Sequence, residues 1–179
     1  MADFTLLQYN GTNISSGLGK INTLKKNYKD ILRNNDLMMN LEAFILSSNK
    51  IKFDFIEKMK EIYEEEEEFH FLVPVSSCDY FVYKIKDWIS NGFPNSIDIS
   101  YCFTERESVD MGKLGANAEE ILKQSLVISE NLSELNINKI FIGDDVYSTG
   151  TSVKVYKELI QEQFDYEIEF SFGTLIKTQ

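Results

Sequence analysis

A cluster of carboxylates, hydroxyls and one glycine near residue 145 is the part of this 179-residue sequence best suited to chemistry. Residues 140–153 read IFIGDDVYSTGTSV, so an apolar run delivers two adjacent carboxylates, Asp144 and Asp145, which we call the acidic pair. Carboxylates at the end of a strand can accept hydrogen bonds from a diol, or from water bound to a hard cation such as Mg²⁺. The segment therefore predicts a site for a hydroxylated ligand, with or without a metal ion.

The loop that follows the acidic pair has the composition of an anion-binding helix start. Ser148, Thr149, Thr151 and Ser152 supply hydroxyl groups around Gly150, and we call residues 148–152 the hydroxyl loop. Backbone N–H groups at the start of a helix bind phosphate without a basic side chain, and glycine lets the backbone turn tightly towards the anion. A phosphate site beside a diol site indicates a pocket for a ribose 5-phosphate.

Alternating strands and helices are expected to position this segment. The apolar patterns predict strands at 69–75, 96–103, 139–142 and 167–175, and helices at 79–89, 117–132 and 152–161. This order predicts an α/β fold with a doubly wound, mainly parallel sheet and helices on both faces. Ligands of such sheets bind beyond the carboxyl ends of the strands, so the loops at 76–80, 104–116 and 144–152 are expected to face one mouth.

The first 68 residues are predicted to form a mainly helical region next to the α/β core of residues 69–179, within a single domain. A short strand is expected at 3–9 and helices at 21–34, 37–46 and 53–63. Five adjacent carboxylates, Glu64 to Glu68, follow the last of these helices. Their mutual repulsion favours water, so a solvated helix end is expected there.

Composition excludes several classes of protein. The sequence has 18 Lys and Arg against 29 Asp and Glu, a net charge of −11, which argues against an extended surface for nucleic acid. Two cysteines are too few for a disulfide scaffold, and a single histidine excludes a two-histidine metal site within one chain. Because no apolar run approaches the roughly 18 residues that span a bilayer, a soluble cytoplasmic protein without membrane contact is expected.

The segment at 140–153 resembles the signature of the type I phosphoribosyltransferases, which bind 5-phosphoribosyl 1-diphosphate together with Mg²⁺. The resemblance implies that Asp144 and Asp145 hold the ribose hydroxyls and reach the metal ion only through ligand or water. It implies that the hydroxyl loop binds the 5-phosphate, and that the phosphoribosyl group passes to a nitrogenous acceptor with release of diphosphate. The helical region at 21–68 would then cover the acceptor.

Two further loops of this family have counterparts here. The place of the diphosphate-binding loop is taken by VPVSSCDY, residues 73–80, where Ser76 and Ser77 offer hydroxyls and N–H groups but no glycine or cation is present. Helix capping is an equally good role for these two serines. The mobile loop corresponds to TERESVDMGKLG, residues 104–115, in which Arg106 and Lys113 would neutralise the diphosphate unless they are ordinary surface charges.

Two functions therefore remain open for the sequence. One is a Mg²⁺-dependent phosphoribosyltransferase, and the other is a sensor or regulatory subunit of the same fold that binds a phosphoribosyl ligand or nucleotide without turnover. The altered diphosphate loop favours the second function, whereas the sugar-phosphate segment fits both. The long N-terminal helices also offer surface for a homodimer or for a place in a larger complex.

Overall fold

The computed structural model describes residues 3–9, 38–74, 79–106, 117–147 and 149–178, and these ranges contain strands and helices in alternation. The strands are β1 (Asp3–Tyr9), β2 (Phe69–Leu72), β3 (Ser96–Asp98), β4 (Phe103–Glu105), β5 (Leu126–Ile128), β6 (Lys139–Tyr147) and β7 (Glu169–Thr178). The α-helices are α1 (Met38–Lys60), α2 (Asp79–Gly92), α3 (Ala118–Ser125) and α4 (Thr151–Gln161). Short 3₁₀ turns occupy Ser100–Cys102 and Glu130–Glu134.

A five-stranded sheet organises the structure, with strand order β1-β7-β6-β2-β3. Every neighbouring pair in it is parallel, whereas β4 and β5 form a separate antiparallel pair. Side chains of α1 and α2 pack on one face of the sheet, and those of α4 pack on the other. The predicted α/β class and the mainly parallel sheet are therefore confirmed, and the N-terminal strand β1 joins the same sheet as the strands of the 69–179 region.

The central strand β6 is buried on both faces, which explains its continuous apolar run. Phe141 belongs to the core under α1 and α2, whereas Ile140 and Ile142 belong to the core under α4. Side chains alternate between the two faces of a strand. When both faces are covered, every position is buried, so apolar residues occupy all of them. The fully buried ring of Phe141 lies within 6.0 Å of Phe4 and Phe55 and 6.3 Å of Tyr63, measured between ring centroids.

One helix replaces two of the predicted ones. The helices expected at 37–46 and 53–63 are a single helix, α1, because the residues between them contain no proline or glycine to interrupt the helical hydrogen bonds. The helix predicted at 21–34 lies outside the described residues. In the described ranges, no helix combines the length and the apolar character needed to cross a bilayer.

Two predicted elements are shorter than expected because local hydrogen bonds end them. The strand predicted at 96–103 breaks after Asp98, whose Oδ1 accepts a 2.8 Å hydrogen bond from the N–H of Ser100, and β4 then leaves for the second sheet. The helix predicted at 117–132 ends at Ser125, whose hydroxyl donates to the carbonyl of Leu122. The next three residues form β5, and two of them, Val127 and Ile128, are β-branched and favour a strand.

The acidic run at 64–68 lies in a turn between α1 and β2, not on the end of a helix as predicted. Most of its side chains are exposed, but Glu67 is partly buried and forms an ion pair with Lys139 at the start of β6. The hydrogen bond from Lys139 lowers the pKa of the Glu67 carboxyl. Since this turn immediately precedes β2, the run belongs to the amino ends of the parallel strands.

A buried hydrogen bond between Tyr63 and Ser171 joins the turn after α1 to β7, and its contribution to stability can be tested. Burial raises the pKa of Tyr63 to about 12. Its neutral form therefore stabilises the fold fully below pH 10, and that contribution is lost as the pH rises from 10 to about 12. We expect Tyr63→Phe to lower the free energy of unfolding at pH 7 by about 1–2 kcal/mol, because the Ser171 hydroxyl loses its partner.

Urea unfolding of both proteins at several pH values between 7 and 12 checks this expectation. The other tyrosines are common to both, so the difference in unfolding free energy isolates Tyr63. That difference should shrink above pH 10, and a difference that stays constant up to pH 12 contradicts the assignment.

Candidate functional site

The sheet reverses its winding direction between β2 and β6. The chain passes from β2 through α2 to β3 on one side, and from β6 through α4 to β7 on the other side. Because such crossovers are right-handed, the two helices lie on opposite faces of the sheet, as observed. A reversal of this kind opens a crevice at the carboxyl ends of the two central strands, which is where open α/β sheets bind their ligands.

The crevice begins where β2 separates from β6. Register pairs between the two strands run up to Leu72 and Ile142. The N–H of the next residue, Val73, donates instead to the hydroxyl of Ser100, with a nitrogen–oxygen distance of 3.0 Å. Meanwhile β6 continues beside β7 as far as Tyr147. Among the described residues, β2 therefore has no register partner on β6 beyond Ile142.

The acidic pair lies on this last part of β6. The strand was predicted to end at residue 142, but it continues to Tyr147 and carries both carboxylates within it. Asp145 is buried, with 6% of its surface exposed, and its N–H donates a 2.8 Å hydrogen bond to Oδ1 of Asp144. Pairing with β7 holds the backbone of this segment, so the carboxylates are placed by the sheet and not by a free loop.

The described part of the hydroxyl loop forms the start of α4, with Thr149 and Gly150 before the helix and Thr151 and Ser152 in its first turn. Gly150 caps this helix in a left-handed conformation with φ of 76°, and Oγ1 of Thr149 accepts a 3.4 Å hydrogen bond from the N–H of Thr151, the first residue of the helix. The hydroxyls of Thr149 and Thr151 lie 2.8 Å apart and are hydrogen-bonded to each other, and the carbonyl of Gly150 accepts from the N–H of Lys154. The first N–H groups of a helix have no acceptor within it, so this helix start can bind an anion beside the crevice.

Glycine is required at position 150 for two separate reasons. A residue with a side chain disfavours a φ of 76°. In addition, a Cβ atom on Gly150 would lie only 2.5 Å from Oη of Tyr147. The glycine of the predicted motif therefore has both a conformational and a steric function.

Lys154, the nearest cation along α4, already forms ion pairs with two carboxylates. The ammonium group of Lys154 binds Glu119 of α3 at 2.7 Å and approaches Glu158 of α4 at 3.7 Å. The hydrogen bond to Glu119 raises the pKa of Lys154, so the lysine stays charged. Lys123 completes a four-residue charge cluster that joins α3 to α4. Lys154 is therefore already paired with carboxylates of α3 and α4.

The structure brings together some of the predicted site residues and not others. Asp144 and Asp145 precede Thr149, Gly150, Thr151 and Ser152 by only a few residues, at one end of the sheet. Arg106 follows β4, outside the five-stranded sheet, with an exposed side chain and its N–H bonded to the carbonyl of Ser125. Ser76, Ser77, Lys113 and Ser148 lie outside the described residues, so their roles stay predictions.

Two residues next to the site, Thr174 and Tyr147, were not predicted from the sequence. Thr174 of β7 is fully buried and lies opposite Asp144 in the strand register. Tyr147 packs below Gly150. The tyrosine is visible in the motif itself, but its inward direction is set by packing against β7, and the position of Thr174 depends on strand order.

The carboxylates of the site are suited to Mg²⁺ only if water or a bound ligand mediates the contact. Within the described ranges, no group of three or more His, Cys, Asp or Glu side chains converges on one point. Mg²⁺ typically keeps several waters and takes one or two carboxylates together with substrate phosphates. Asp144 and Asp145 can supply those carboxylates if a phosphate ligand brings the ion.

No protein-family model matches the sequence, and no curated protein is significantly similar to it. Function must therefore be inferred from the residues at the carboxyl end of β6.

Proposed function

We propose that this protein binds a ribose 5-phosphate compound at the carboxyl end of β6 and transfers the phosphoribosyl group of 5-phosphoribosyl 1-diphosphate to a nitrogenous acceptor. One observation carries the proposal. The acidic pair and the glycine-capped start of α4 follow each other along the chain at the point where the sheet reverses its winding. A diol site and a phosphate site are thereby adjacent, in the order that a ribose 5-phosphate requires.

The residues of the site have distinct tasks in this reaction. The N–H and hydroxyl groups of residues 149–152 hold the 5-phosphate, and the acidic pair accepts hydrogen bonds from the ribose hydroxyls. The ring is thereby oriented for attack at C1, and the carboxylates lie close to the positive charge that develops on it. Bound Mg²⁺ would neutralise the leaving diphosphate. No side chain has to act as a nucleophile.

The net charge of −11 is compatible with an anionic ligand because the acidic run lies at the other end of the sheet. Glu64 to Glu68 directly precede β2, whereas the crevice lies beyond the last residues of that strand. Exposed charges further apart than about 8–10 Å are largely screened at physiological salt. The run therefore contributes little repulsion at the start of α4.

A second function, a sensor or regulatory subunit that binds the ligand without turnover, is favoured by one specific observation. Of the cations in the described residues around the start of α4, Lys154 is held by Glu119 and Glu158. A transferase stabilises its leaving diphosphate with positive charge. A protein that only binds a nucleotide does not need that charge.

Calorimetric titration with 5-phosphoribosyl 1-diphosphate and Mg²⁺, followed by assay of diphosphate release with a panel of nitrogenous bases, separates the two functions. The transferase requires both binding and release with at least one base. Binding of a nucleotide or of the diphosphate with no release from any acceptor supports the sensor. If neither these ligands nor ribose 5-phosphate binds at millimolar concentration, both functions are wrong.

A further inference from the structure

Tyr147, at the end of β6, packs against Gly150 of the hydroxyl loop. It is the last residue of β6, and its backbone pairs with Lys177 of β7. Its half-buried ring packs against Phe172, with 5.2 Å between the ring centroids and a tilt of 48° between the planes. The ring is therefore anchored to the neighbouring strand.

The far end of the same ring lies against Gly150. A Cβ atom on that glycine would approach Oη, Cζ and Cε2 of Tyr147 to 2.5, 2.8 and 2.9 Å. The contact reaches the left-handed residue that caps α4, so it acts at the point where the direction of the chain changes. Any shift of the ring towards the loop would displace the first turn of α4.

Tyr147 and Gly150 also border a cavity. A cavity of about 490 Å³ is lined by Tyr147 and Gly150 together with Thr5, Val153 and other residues of β1, α4 and β7. Thr149 is exposed and Gly150 is only partly buried, and regions with few buried contacts open at a low free-energy cost. The packing of the Tyr147 ring against Gly150 is therefore an important contact for holding this segment in place.

We propose that Tyr147 is a positioning residue for residues 149–152 of the hydroxyl loop: its ring supports Gly150 and fixes the direction of the first N–H groups of α4. Tyr147 itself touches no ligand in this arrangement. The inference rests on the proposed function for the identity of the anion that these N–H groups bind. The order of the loop in the ligand-free protein does not depend on that identity.

The test compares three replacements of Tyr147 in the full chain. Tyr147→Phe keeps the ring, Tyr147→Ala removes it, and Tyr147→Leu keeps a buried apolar group that is too short to support Gly150. Tyr83→Ala on α2 is the matched control, since that tyrosine is 66% exposed. Hydrogen–deuterium exchange of residues 149–155 without ligand is measured first, and affinity for 5-phosphoribosyl 1-diphosphate with Mg²⁺ second.

We expect exchange at the start of α4 to be at least about tenfold faster in the Ala and Leu variants, with affinity reduced about tenfold or more. The Phe variant and the Tyr83→Ala control should stay within about twofold of the unmodified protein in both measurements. If Tyr147→Ala fails to fold, the Leu variant decides. Unchanged exchange and affinity in the ring-free variants overturn the positioning role, whatever the ligand. Absence of binding by the unmodified protein overturns the proposed function, and exchange alone then decides the role of Tyr147.

Discussion

Affinity for 5-phosphoribosyl 1-diphosphate should fall by about 100-fold or more when both carboxylates of the acidic pair are replaced, as Asp144→Asn with Asp145→Asn. Hydrogen bonds that involve a charged group contribute about 1.5–3 kcal/mol each, and each 1.4 kcal/mol corresponds to a factor of ten in affinity. The amides keep the shape of the carboxylates but lose their charge and half of their acceptor oxygens. Calorimetric titration of the double variant against the unmodified protein measures the loss.

The matched control removes two negative charges at the other end of the sheet. Glu65 and Glu66 are exposed and lie in the turn before β2, so Glu65→Gln with Glu66→Gln makes the same change in net charge. We expect this control to bind as the unmodified protein does. Thermal unfolding must accompany both titrations, because Asp145 is buried. A folded Asp144→Asn, Asp145→Asn protein with full affinity would place the site elsewhere.

Loss of the Phe141 ring should produce the largest change in stability. Phe141 lies on the central strand β6, is fully buried, and contacts the rings of Phe4, Phe55 and Tyr63 from β1, α1 and the turn that follows α1. Truncation of a buried phenylalanine to alanine typically costs about 3–5 kcal/mol, since apolar burial is lost and a cavity remains. We expect Phe141→Ala to lower the free energy of unfolding by about that amount in urea titration.

Phe53→Ala is the matched control for this stability measurement. Phe53 lies on α1 with 64% of its surface exposed, so its truncation should change the free energy of unfolding by less than about 0.5 kcal/mol. Equal effects of the two substitutions would contradict the arrangement of the core. A small effect of Phe141→Ala alone would mean that the surrounding rings collapse into the space it leaves.

Local patterns were sufficient for most of the elements. The apolar run before Asp144 predicts a buried strand, and the periodicity after Gly150 predicts α4, which begins at Thr151. Two strand boundaries differ from the prediction because of a specific hydrogen bond or a neighbouring strand. Asp98 ends β3 by accepting from the N–H of Ser100, and β6 extends to Tyr147 because β7 continues beside it.

The side chains available for chemistry can be read directly from residues 140–153: adjacent carboxylates, then a glycine among hydroxyls, between a strand and a helix. These features lie within fourteen consecutive residues, where spacing along the chain and spacing in the structure are closely related. The pairing of β6 with β2 and the packing of Tyr147 under Gly150 are visible only in the folded chain. Strand order and inward packing depend on contacts between residues far apart in the chain, and no local pattern encodes them.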